Sequence, residues 1–307
     1  MKIAHTYSIV ALSDDHREIG VAVQSHWFAV GAVCPWIQPG IGAIATQSMV
    51  ETSYGPKGLA LLKQGKTANQ ALSDLLSQDT KKALRQVAII DAAGNIATHT
   101  GAKCIAEAGH HTGVNYSVQA NMMLKNTVWS AMAHAFESSN GKLSRRLLSA
   151  LVAAQKEGGD IRGKQSAAIL VADNILDDKP WTHMTTNLRV DDNPDPLVEL
   201  ERLINIEDAY KYMNEGDELL AGSKVDLAKE KYAAAAALAP HFEELRFWEA
   251  VSLAETGEIE SALPIFEFVF RVNPQWAELL QRLPASGLFS DDPALMKKIL
   301  SISIERK

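Results

Sequence analysis

The sequence predicts an α+β protein in which a layered unit of sheets and helices is followed by a small all-helical unit. The chain has 307 residues, which is more than the usual size of a single domain. Over the first two hundred residues, strand-like apolar runs alternate with segments of helical spacing. Near the chain end, similar residues recur at a 34-residue period. We therefore divide the chain into residues 1–204 and residues 205–307.

Composition and charge exclude several classes of protein. Hydrophobic residues make up 47% of the chain, and the net charge is −7 without a basic block, so neither a nucleic acid nor an anionic membrane is an expected partner. No apolar run reaches the roughly 18 residues of a membrane-spanning helix, and the start MKIAHTYS has no signal-peptide core. Cys34 and Cys104, the only cysteines, fit no disulfide or metal spacing. We expect a cytoplasmic protein with reduced thiols.

The layered unit begins with a pair of strands, TYSIVAL and EIGVAVQS, which are joined by the polar turn SDDHR. The segment GAVCPWIQPGIGAIATQS predicts two further short strands around a tight turn. Helical spacing follows from Gly58 to about Gln78. Because Gly65 interrupts that spacing, we expect two helices in this segment, and Thr67 is the candidate N-cap of the second.

The pattern again predicts strands in RQVAIIDAAGNIATHTG, where DAAGN indicates a hairpin turn, and in NYSVQANMM. NTVWSAMAHAFESS and LSRRLLSALVAAQKEGG have helical spacing, and QSAAILVAD is the last predicted strand. Several of these strands are apolar throughout, so we expect other layers to cover both of their faces. Pro194 and Pro196 exclude helix before them, and helical spacing resumes at Leu197.

The second unit contains an internal repeat. Small and apolar residues match at a constant offset of 34 residues, with Gly216, Leu219, Ala228, Tyr232, Ala235 and Pro240 matched by Ala250, Leu253, Ala262, Phe266, Val269 and Pro274. This period is typical of tetratricopeptide (TPR) repeats, which are helical hairpins. We expect two such repeats, with a capping helix between Ala277 and Ile304, and a peptide or protein partner at their groove.

The sequence contains no motif of a cofactor or metal enzyme. We find no G-x-S-x-G, no H-E-x-x-H and no phosphate-binding glycine loop, so no cofactor is expected. His110 and His111 are adjacent, and neighbouring residues of a strand point to opposite faces, so these two histidines do not predict a shared metal ion.

Polar residues collect instead at the ends of the predicted strands. They are Ser25, His26, Gln47, Ser48, His99, Thr100, Gln119, Asn121, Asp160, Arg162 and Gln165. Any one of them fits a solvated turn, but their common position at strand edges predicts a cleft at one end of a sheet. Apart from Asn121, we interpret them as candidate substrate-binding residues.

Eight segments resemble the DUF1028 family, in the family's order and at its spacing. They are TYSIVA, GVAVQSHWFAVGAV, GIGAIATQS, SYGPKGLALL, HTGAKC, AGHHTGVNYSVQANMM, GGDIRGKQSAAILV and LRVDDNPDPLVELERL, and they cover about residues 6 to 204. The resemblance implies the four-layer αββα sandwich of the N-terminal nucleophile (Ntn) hydrolase superfamily. Some relatives carry a C-terminal extension described as a peptidoglycan-binding module, which LLQRLPASGLFSDDPAL resembles; the 34-residue period favours helical repeats for the same segment.

The resemblance also implies a mechanism in which the first residue of the mature chain attacks an amide carbonyl and its own α-amine takes the proton. Thr6 matches the nucleophile of the family pattern, Ser8 lies on the same face of the strand, and Asn121 or Gln47 is a candidate oxyanion donor. In this chain five residues, MKIAH, precede Thr6. Either these residues are cut off, for example by self-cleavage of the His5–Thr6 bond, or translation starts elsewhere, or Thr6 is not a nucleophile.

Two functions stay open at this point, and a lytic or wall-associated role is a third, weaker alternative because the sequence shows no export signal. One is an Ntn-type amidohydrolase that cleaves a small amide or a peptide-like bond. The other is a non-catalytic protein that binds a ligand in its layered unit and docks a partner on its repeats. His26 stands where many relatives have arginine, which changes the expected recognition of a substrate carboxylate. Association into a homo-oligomer is expected in either case.

Overall fold

The computed structural model describes residues 3–302 of the chain. These residues form two compact units that divide between Leu203 and Ile204. The first unit contains every strand of the described residues, and the second is built from helices alone. The protein therefore has a mixed α+β architecture with antiparallel sheets and a helical C-terminal region.

Strands and helices alternate in groups along the first unit. The strands are β1 Ile3–Ala4, β2 Thr6–Leu12, β3 Glu18–Ser25, β4 Pro35–Gln38, β5 Gly42–Met49, β6 Arg85–Asp91, β7 Ile96–Thr100, β8 Gly109–Gly113, β9 Tyr116–Ala120, β10 Ser166–Asp173 and β11 Met184–Val190. The helices are α1 Tyr54–Lys63, α2 Ala68–Ser77, α3 Val128–Ser138 and α4 Leu143–Lys156.

Two antiparallel sheets face each other in this unit. The six-stranded sheet has the order β11-β10-β3-β2-β9-β8, and the five-stranded sheet has the order β1-β5-β6-β7, with β4 also paired to β5. Strands β2, β3 and β9 contact strands β4, β5 and β6 of the other sheet. Because β2 and β5 lie near the middle of their sheets, the residues on their facing sides are enclosed.

Helices cover the outer faces of the two sheets. Helix α4 packs on β2, β3 and β10, and α3 packs on β8 and β9. On the other sheet, α1 packs on β4 and β5, and α2 packs on β6 and β7. Strands β2 and β6 are buried along their whole length, which explains why their sequences are apolar without the alternation of a solvated sheet.

The structure differs from the sequence-based prediction in several elements. Strands β8 and β11 were not predicted, because GHHTG has no apolar face and MTTNLRV alternates only weakly. Helix α1 begins at Tyr54 rather than at Gly58. Strand β9 ends at Ala120, so the NMM of the predicted strand lies beyond it. In contrast, Thr67 caps α2 through a full capping box with Gln70, as predicted.

The second unit repeats its helices at the 34-residue offset of its sequence. Its helices are α5 Pro196–Ala221, which begins in the first unit, and α6 Val225–Leu238, α7 Glu243–Glu255, α8 Ile259–Val272, α9 Gln275–Arg282 and α10 Pro293–Ser301. Helices α6 and α8 begin and end 34 residues apart, and α5 and α7 end 34 residues apart. Helix α5 begins at Pro196, where proline is tolerated because the first helical N–H has no partner.

The repeated residues form the core of the second unit. Ala228, Tyr232, Ala250 and Phe266 are all at most 1% exposed. A Cβ atom on Gly216 would lie only 2.5 Å from the ring of Tyr232, so the two helices approach each other closely at this glycine.

The end of the second unit differs from the single capping helix that was predicted. Helices α9 and α10 occupy this segment, and a 3-10 turn over Pro284–Ser286 separates them. Ile304, the predicted end of the cap, lies outside the described residues. Within residues 3–302, no helix is both long enough and apolar enough to cross a lipid bilayer.

Candidate functional site

The space between the two sheets has an apolar half and a polar half. Alternate residues of each strand face this space. At one end they are apolar, and they include Val10, Leu12, Val21, Val23, Ala43, Ala45, Ala88 and Ile90. At the other end the same faces carry Thr6, Ser8, Ser25, Gln47, Gln86, Ser117, Gln119 and Asn121, all of them fully buried. Since buried polar groups are costly unless they are paired, this end requires a hydrogen-bond network.

Gln86 is the centre of that network. Its Oε1 atom accepts hydrogen bonds from Gln47 Nε2 at 2.7 Å and from Asn121 Nδ2 at 2.8 Å. Its Nε2 atom donates to the carbonyl of Ala120 at 2.9 Å and to Thr100 Oγ1 at 2.9 Å. The single side chain thus joins β6 to β5, β7 and β9 and fixes the orientation of two other amides.

Ser8 lies in the same network and links the two sheets. Its hydroxyl donates to Gln47 Oε1 at 2.6 Å and accepts from Gln119 Nε2 at 2.5 Å. Gln119 Oε1 in turn accepts from Ser117 Oγ at 3.2 Å. The Ser8 hydroxyl is therefore engaged both as donor and as acceptor, so Ser8 holds the network together rather than presenting a free hydroxyl.

The carbonyl of His5 lies in a strongly polar environment, next to the backbone nitrogen of Thr6. Its oxygen accepts a hydrogen bond from Ser25 Oγ at 2.5 Å and another from the guanidinium of Arg162 at 3.0 Å. Asp160, which is 2% exposed, holds this guanidinium through Nε at 3.0 Å and Nη2 at 2.7 Å. Donors so placed polarise a carbonyl and stabilise negative charge on its oxygen.

Thr6 is fully buried beside this carbonyl. Its hydroxyl donates to the carbonyl of Ala4 at 2.8 Å. Its own carbonyl accepts hydrogen bonds from the backbone N–H of Asn121 at 3.1 Å and from Gln47 Nε2 at 3.1 Å. The two residues that the sequence predicted as oxyanion donors are therefore directed at the Thr6 carbonyl, while Ser25 and Arg162 serve the His5 carbonyl.

His5 is itself part of the site. Its Nδ1 donates to Asn121 Oδ1 at 2.6 Å, and the residue is only 3% exposed. Burial lowers the pKa of His5 below its usual value of 6.5, and the positive charge of Arg162 lowers it further, against the hydrogen bond to Asn121. His5 is therefore neutral at physiological pH, with its Nδ1 protonated.

Two residues beside the site have backbone conformations that are rare for their type. Ser48 has a φ of 70° within β5, opposite Ala4 of β1. Met122, which directly follows Asn121, has a φ of 59°. Positive φ at a residue other than glycine is strained and concentrates at functional sites. Ser48 thus lies opposite the segment before Thr6, and Met122 follows the residue whose backbone N–H donates to the Thr6 carbonyl.

Three of the predicted site residues direct their side chains elsewhere. His99 Nε2 bonds the carbonyl of Lys82 at 2.8 Å, on the face of β7 opposite to Thr100. The exposed His26 approaches Asp160 only through its backbone N–H, at 3.2 Å. The side chain of Gln165 donates to Asp192 at 3.1 Å, outside the network. Apart from Ser48, the other predicted residues belong to the buried network around Thr6 or to the hydrogen bonds at the His5 carbonyl.

Sequence reasoning missed Gln86 and His5. Gln86 is the second residue of an otherwise apolar strand, and it lies opposite Gln47 in the register of β5 and β6. That register is the signal that identifies it, because residues directly opposite each other share a face of the sheet. His5 was treated only as part of a segment to be removed.

Comparison with known families assigns the first unit. The profile of DUF1028, described as a family of unknown function, matches residues 6–200. The chain belongs to the DUF1028 family. Among solved structures, the DUF1028 protein SPO2555 from Silicibacter pomeroyi is 33% identical to this chain, with a TM-score of 0.59 over 65% of this chain and 84% of that one.

Other comparisons add less. The ancestral β-subunit Anbu from Yersinia bercovieri is 10% identical, with a TM-score of 0.32 over 64% of this chain and 91% of that one, and we draw no conclusion from it. No curated protein matches the chain at a significant level.

The buried polar network of the DUF1028 unit consists of hydroxyls and amides, together with His5 and the Arg162–Asp160 pair. Among residues 3–302, no group of three or more His, Cys, Asp or Glu side chains is arranged to hold a metal ion. Cys34 is buried, and burial raises the pKa of its thiol, which favours the protonated form. Thr6 is buried directly after the His5 carbonyl, whose oxygen accepts hydrogen bonds from Ser25 and Arg162.

Proposed function

We propose that this DUF1028 protein is an Ntn-type amidohydrolase and that its first unit is a four-layer αββα sandwich of the Ntn-hydrolase superfamily. The packing of α3 and α4 outside one antiparallel sheet, and of α1 and α2 outside the other, supports this architecture. Thr6 is the proposed nucleophile, and it lies at the start of β2 between the two sheets.

The observation that carries the proposal is the environment of the His5 carbonyl. A hydroxyl and a guanidinium both donate to its oxygen, and the next residue is a buried threonine. In self-cleavage, Thr6 Oγ1 forms a bond to the His5 carbonyl carbon, the bond from that carbon to the Thr6 nitrogen breaks, and the hydroxyl proton moves to this nitrogen. Ser25 and Arg162 stabilise the oxyanion that forms on the way.

Water then hydrolyses the resulting ester. This step releases residues 1–5 with a new carboxylate at His5 and leaves Thr6 with a free hydroxyl and a free α-amine. An α-amine has a pKa of about 7.7 to 8.0, so a large fraction is neutral near pH 7.5 and accepts the proton of its own hydroxyl. The same donors, Ser25 and Arg162, are then available to the carbonyl oxygen of a substrate amide.

Intact mass measurement of the purified protein tests the self-cleavage. We expect the wild-type chain to lose residues 1–5, the Thr6→Ala chain to keep them, and the Thr6→Ser chain to lose them as well, because serine retains the hydroxyl. A Thr6→Ala chain that is shortened at the same bond would show that another protease removes the segment.

A screen of small amides and peptide amides, with Thr6→Ala as the blank, then tests catalysis. Hydrolysis that depends on Thr6 is the expected result. A wild-type chain that keeps residues 1–5 and hydrolyses nothing would favour the alternative function, a non-catalytic protein that binds a ligand. In a chain that keeps residues 1–5, the Thr6 nitrogen is part of a peptide bond and cannot act as a base.

We further propose that the helical unit is TPR-like and docks a peptide or protein partner. Its support is the common 34-residue offset of helices and buried residues, with close packing at Gly216. The Gly216→Ala substitution, with Gly222→Ala as its control, tests the close helix packing on which this proposal depends.

A further inference from the structure

The segment before Thr6 occupies a groove that has the features of a substrate site. Strand β5 pairs with β6 along one edge. On its other edge, β4 pairs with Gly42–Ala45, and β1 pairs with Ser48 and Met49. If residues 1–5 leave, the backbone of Ser48 and Met49 loses its partner strand. An open strand edge of this kind binds an extended chain through backbone hydrogen bonds.

The position before the scissile bond has a defined chemical character. The His5 ring donates to Asn121 Oδ1. The orientation of that oxygen is fixed, because Asn121 Nδ2 donates to Gln86 Oε1. The subsite therefore offers a buried acceptor. It favours a neutral side chain that donates a hydrogen bond and disfavours a carboxylate, which would face the same oxygen without a proton.

The next position is small and apolar. Ala4 is fully buried, and it packs with Val33, Val50 and Trp27. A larger side chain at this position has to displace these residues, and overpacking of a closed apolar site is unfavourable. At the third residue before the cleaved bond, Ile3, the backbone pairs with Met49 of β5.

Arg162 gives the groove a preference for the product of cleavage. Its Nη2 atom lies 3.0 Å from the His5 oxygen, which becomes a carboxylate oxygen once the bond is cut. A guanidinium bound to a carboxylate forms a stronger hydrogen bond than the same group bound to a neutral carbonyl. Asp160 neutralises part of this charge and keeps the guanidinium in place.

We infer that the groove filled by residues 3–5 is the acyl-side binding site for the substrate, and that the substrate is an extended L-peptide or peptide-like amide. Its residue before the cleaved bond carries a neutral hydrogen-bond donor, and the residue before that is small and apolar. This inference rests on the proposed function and specifies its substrate class. Residues 1–5 are then an internal first substrate, and their free form is a product inhibitor.

Binding of the synthetic pentapeptide MKIAH tests the groove without relying on catalysis. We expect calorimetry to detect binding to the processed wild-type chain after dialysis. The Thr6→Ala chain, which keeps residues 3–5 in the groove, should bind it at least about tenfold more weakly. Equal binding to both chains, or binding to neither while the wild type is processed, would overturn the inference.

Hydrolysis of acetyl-Ile-Ala-His coupled to aminomethylcoumarin tests the substrate class. We expect its kcat/KM to be at least about tenfold higher than that of acetyl-His-aminomethylcoumarin, which lacks the Ile and Ala residues. It should exceed by a similar factor the kcat/KM of the same tripeptide methylated on its Ile and Ala backbone nitrogens, because these nitrogens can no longer donate hydrogen bonds to β5. Replacing His by Glu should reduce kcat/KM by at least about tenfold, because the Asn121 acceptor loses its donor.

A substitution at Val50, which packs against Ala4, tests the binding position two residues before the cleaved bond. Val50→Phe should reduce kcat/KM for the Ala-containing tripeptide by about tenfold and affect the Gly-containing tripeptide less, because the added ring fills the space of the alanine methyl. If the processed enzyme hydrolyses simple amides as fast as the tripeptide, the inference fails while the amidohydrolase proposal stands. A chain that is neither processed nor active defeats the proposed function itself.

Discussion

At the scale of single residues, Gln86 shows how one side chain organises a buried polar site. It receives two hydrogen bonds and donates to atoms on β7 and β9. Its two donors, Gln47 and Asn121, are fully buried and cannot turn to water instead. Loss of one member of such a network leaves its partners unpaired, which costs more than the bond itself contributed.

We therefore expect Gln86→Leu to lower the free energy of unfolding of the first unit by about 1 to 3 kcal/mol. Gln47 and Asn121 would each lose an acceptor, and their orientation toward Thr6 would be lost with it. Urea denaturation measures the change. Gln78→Leu, at the exposed residue that directly follows α2, is the matched control and should change stability by less than about 0.5 kcal/mol. Equal effects of the two substitutions would contradict the role of Gln86.

Arg162 is the second residue whose geometry leads to a prediction. Its guanidinium reaches both carboxylate oxygens of Asp160 and the His5 carbonyl at once. The compact ammonium of lysine cannot form this planar set of bonds. Arg162→Lys should slow the loss of residues 1–5 by about 100- to 1,000-fold, in line with removal of one oxyanion donor.

Mass spectrometry of samples taken during expression and after purification follows this rate. Lys164→Arg is the control, because Lys164 lies two residues away in the same loop and is paired to Asp195. Processing of Arg162→Lys at the wild-type rate would remove Arg162 from the oxyanion role, whether or not Thr6 is the nucleophile.

At the scale of elements, strand β1 is a short segment held by long-range contacts. It has only two residues, yet it pairs with β5 and is followed by the buried His5. Its pairing partner, Ser48, has a strained backbone with positive φ. Few backbone hydrogen bonds hold so short a strand, so it can separate from β5 after cleavage of the His5–Thr6 bond.

The repeated helices lead to a prediction at the same scale. Gly216→Ala should destabilise the second unit by about 1 to 3 kcal/mol, because the new Cβ would lie 2.5 Å from the ring of Tyr232. Gly222→Ala is the control in the same region, since its Cβ would meet its nearest atom at 3.5 Å, an ordinary contact. Thermal unfolding followed by circular dichroism distinguishes the two. A stable Gly216→Ala chain would argue against the TPR-like packing.

At the scale of the whole molecule, retention of residues 1–5 should make stability depend on pH. The pKa of His5 is lowered on folding, chiefly by burial. A proton therefore binds the unfolded chain more readily. The stabilising contribution is complete above about pH 6.5 and is lost progressively as the pH falls below that value. The pKa of His110 is lowered in the same direction by burial and by its neighbours His99 and His111.

The comparison of Thr6→Ala with Thr6→Ala/His5→Gln isolates the His5 contribution. Glutamine keeps a donor for Asn121 but does not titrate. We expect melting temperatures measured from pH 8 to pH 5 to fall more steeply for the single variant. The raised pKa of His183, due mainly to its bond with Asp177, acts in the opposite direction but equally in both chains. Parallel curves for the two chains would contradict the lowered pKa of His5.

Much of the fold was predictable because local patterns determine it. The apolar strands, the break at Gly65, the cap at Thr67 and the 34-residue helical period all depend on residues close in sequence or on a regular spacing. Strands β8 and β11 were missed because their pairing with β9 and β10 supplies a regularity that their own residues lack. Tertiary pairing overrides weak local preference at such strands.

The candidate site was predictable only in part. Period two along a strand indicated that Ser8 shares a face with Thr6 and that Asn121 shares one with Gln119. The partner of each side chain was not predictable, because it lies on another strand or in the other sheet. For this reason the sequence grouped His99, His26 and Gln165 with the site, and it overlooked Gln86.

By itself, the sequence determined the identity of most elements, the family of the first unit and the repeat of the second. Only the tertiary structure decided that Ser25, Arg162 and the His5 carbonyl meet, and that Ile3 and Ala4 pair with β5. The physical reason is that hydrogen bonds between distant strands depend on register and sheet packing, and a chain read in one dimension contains neither.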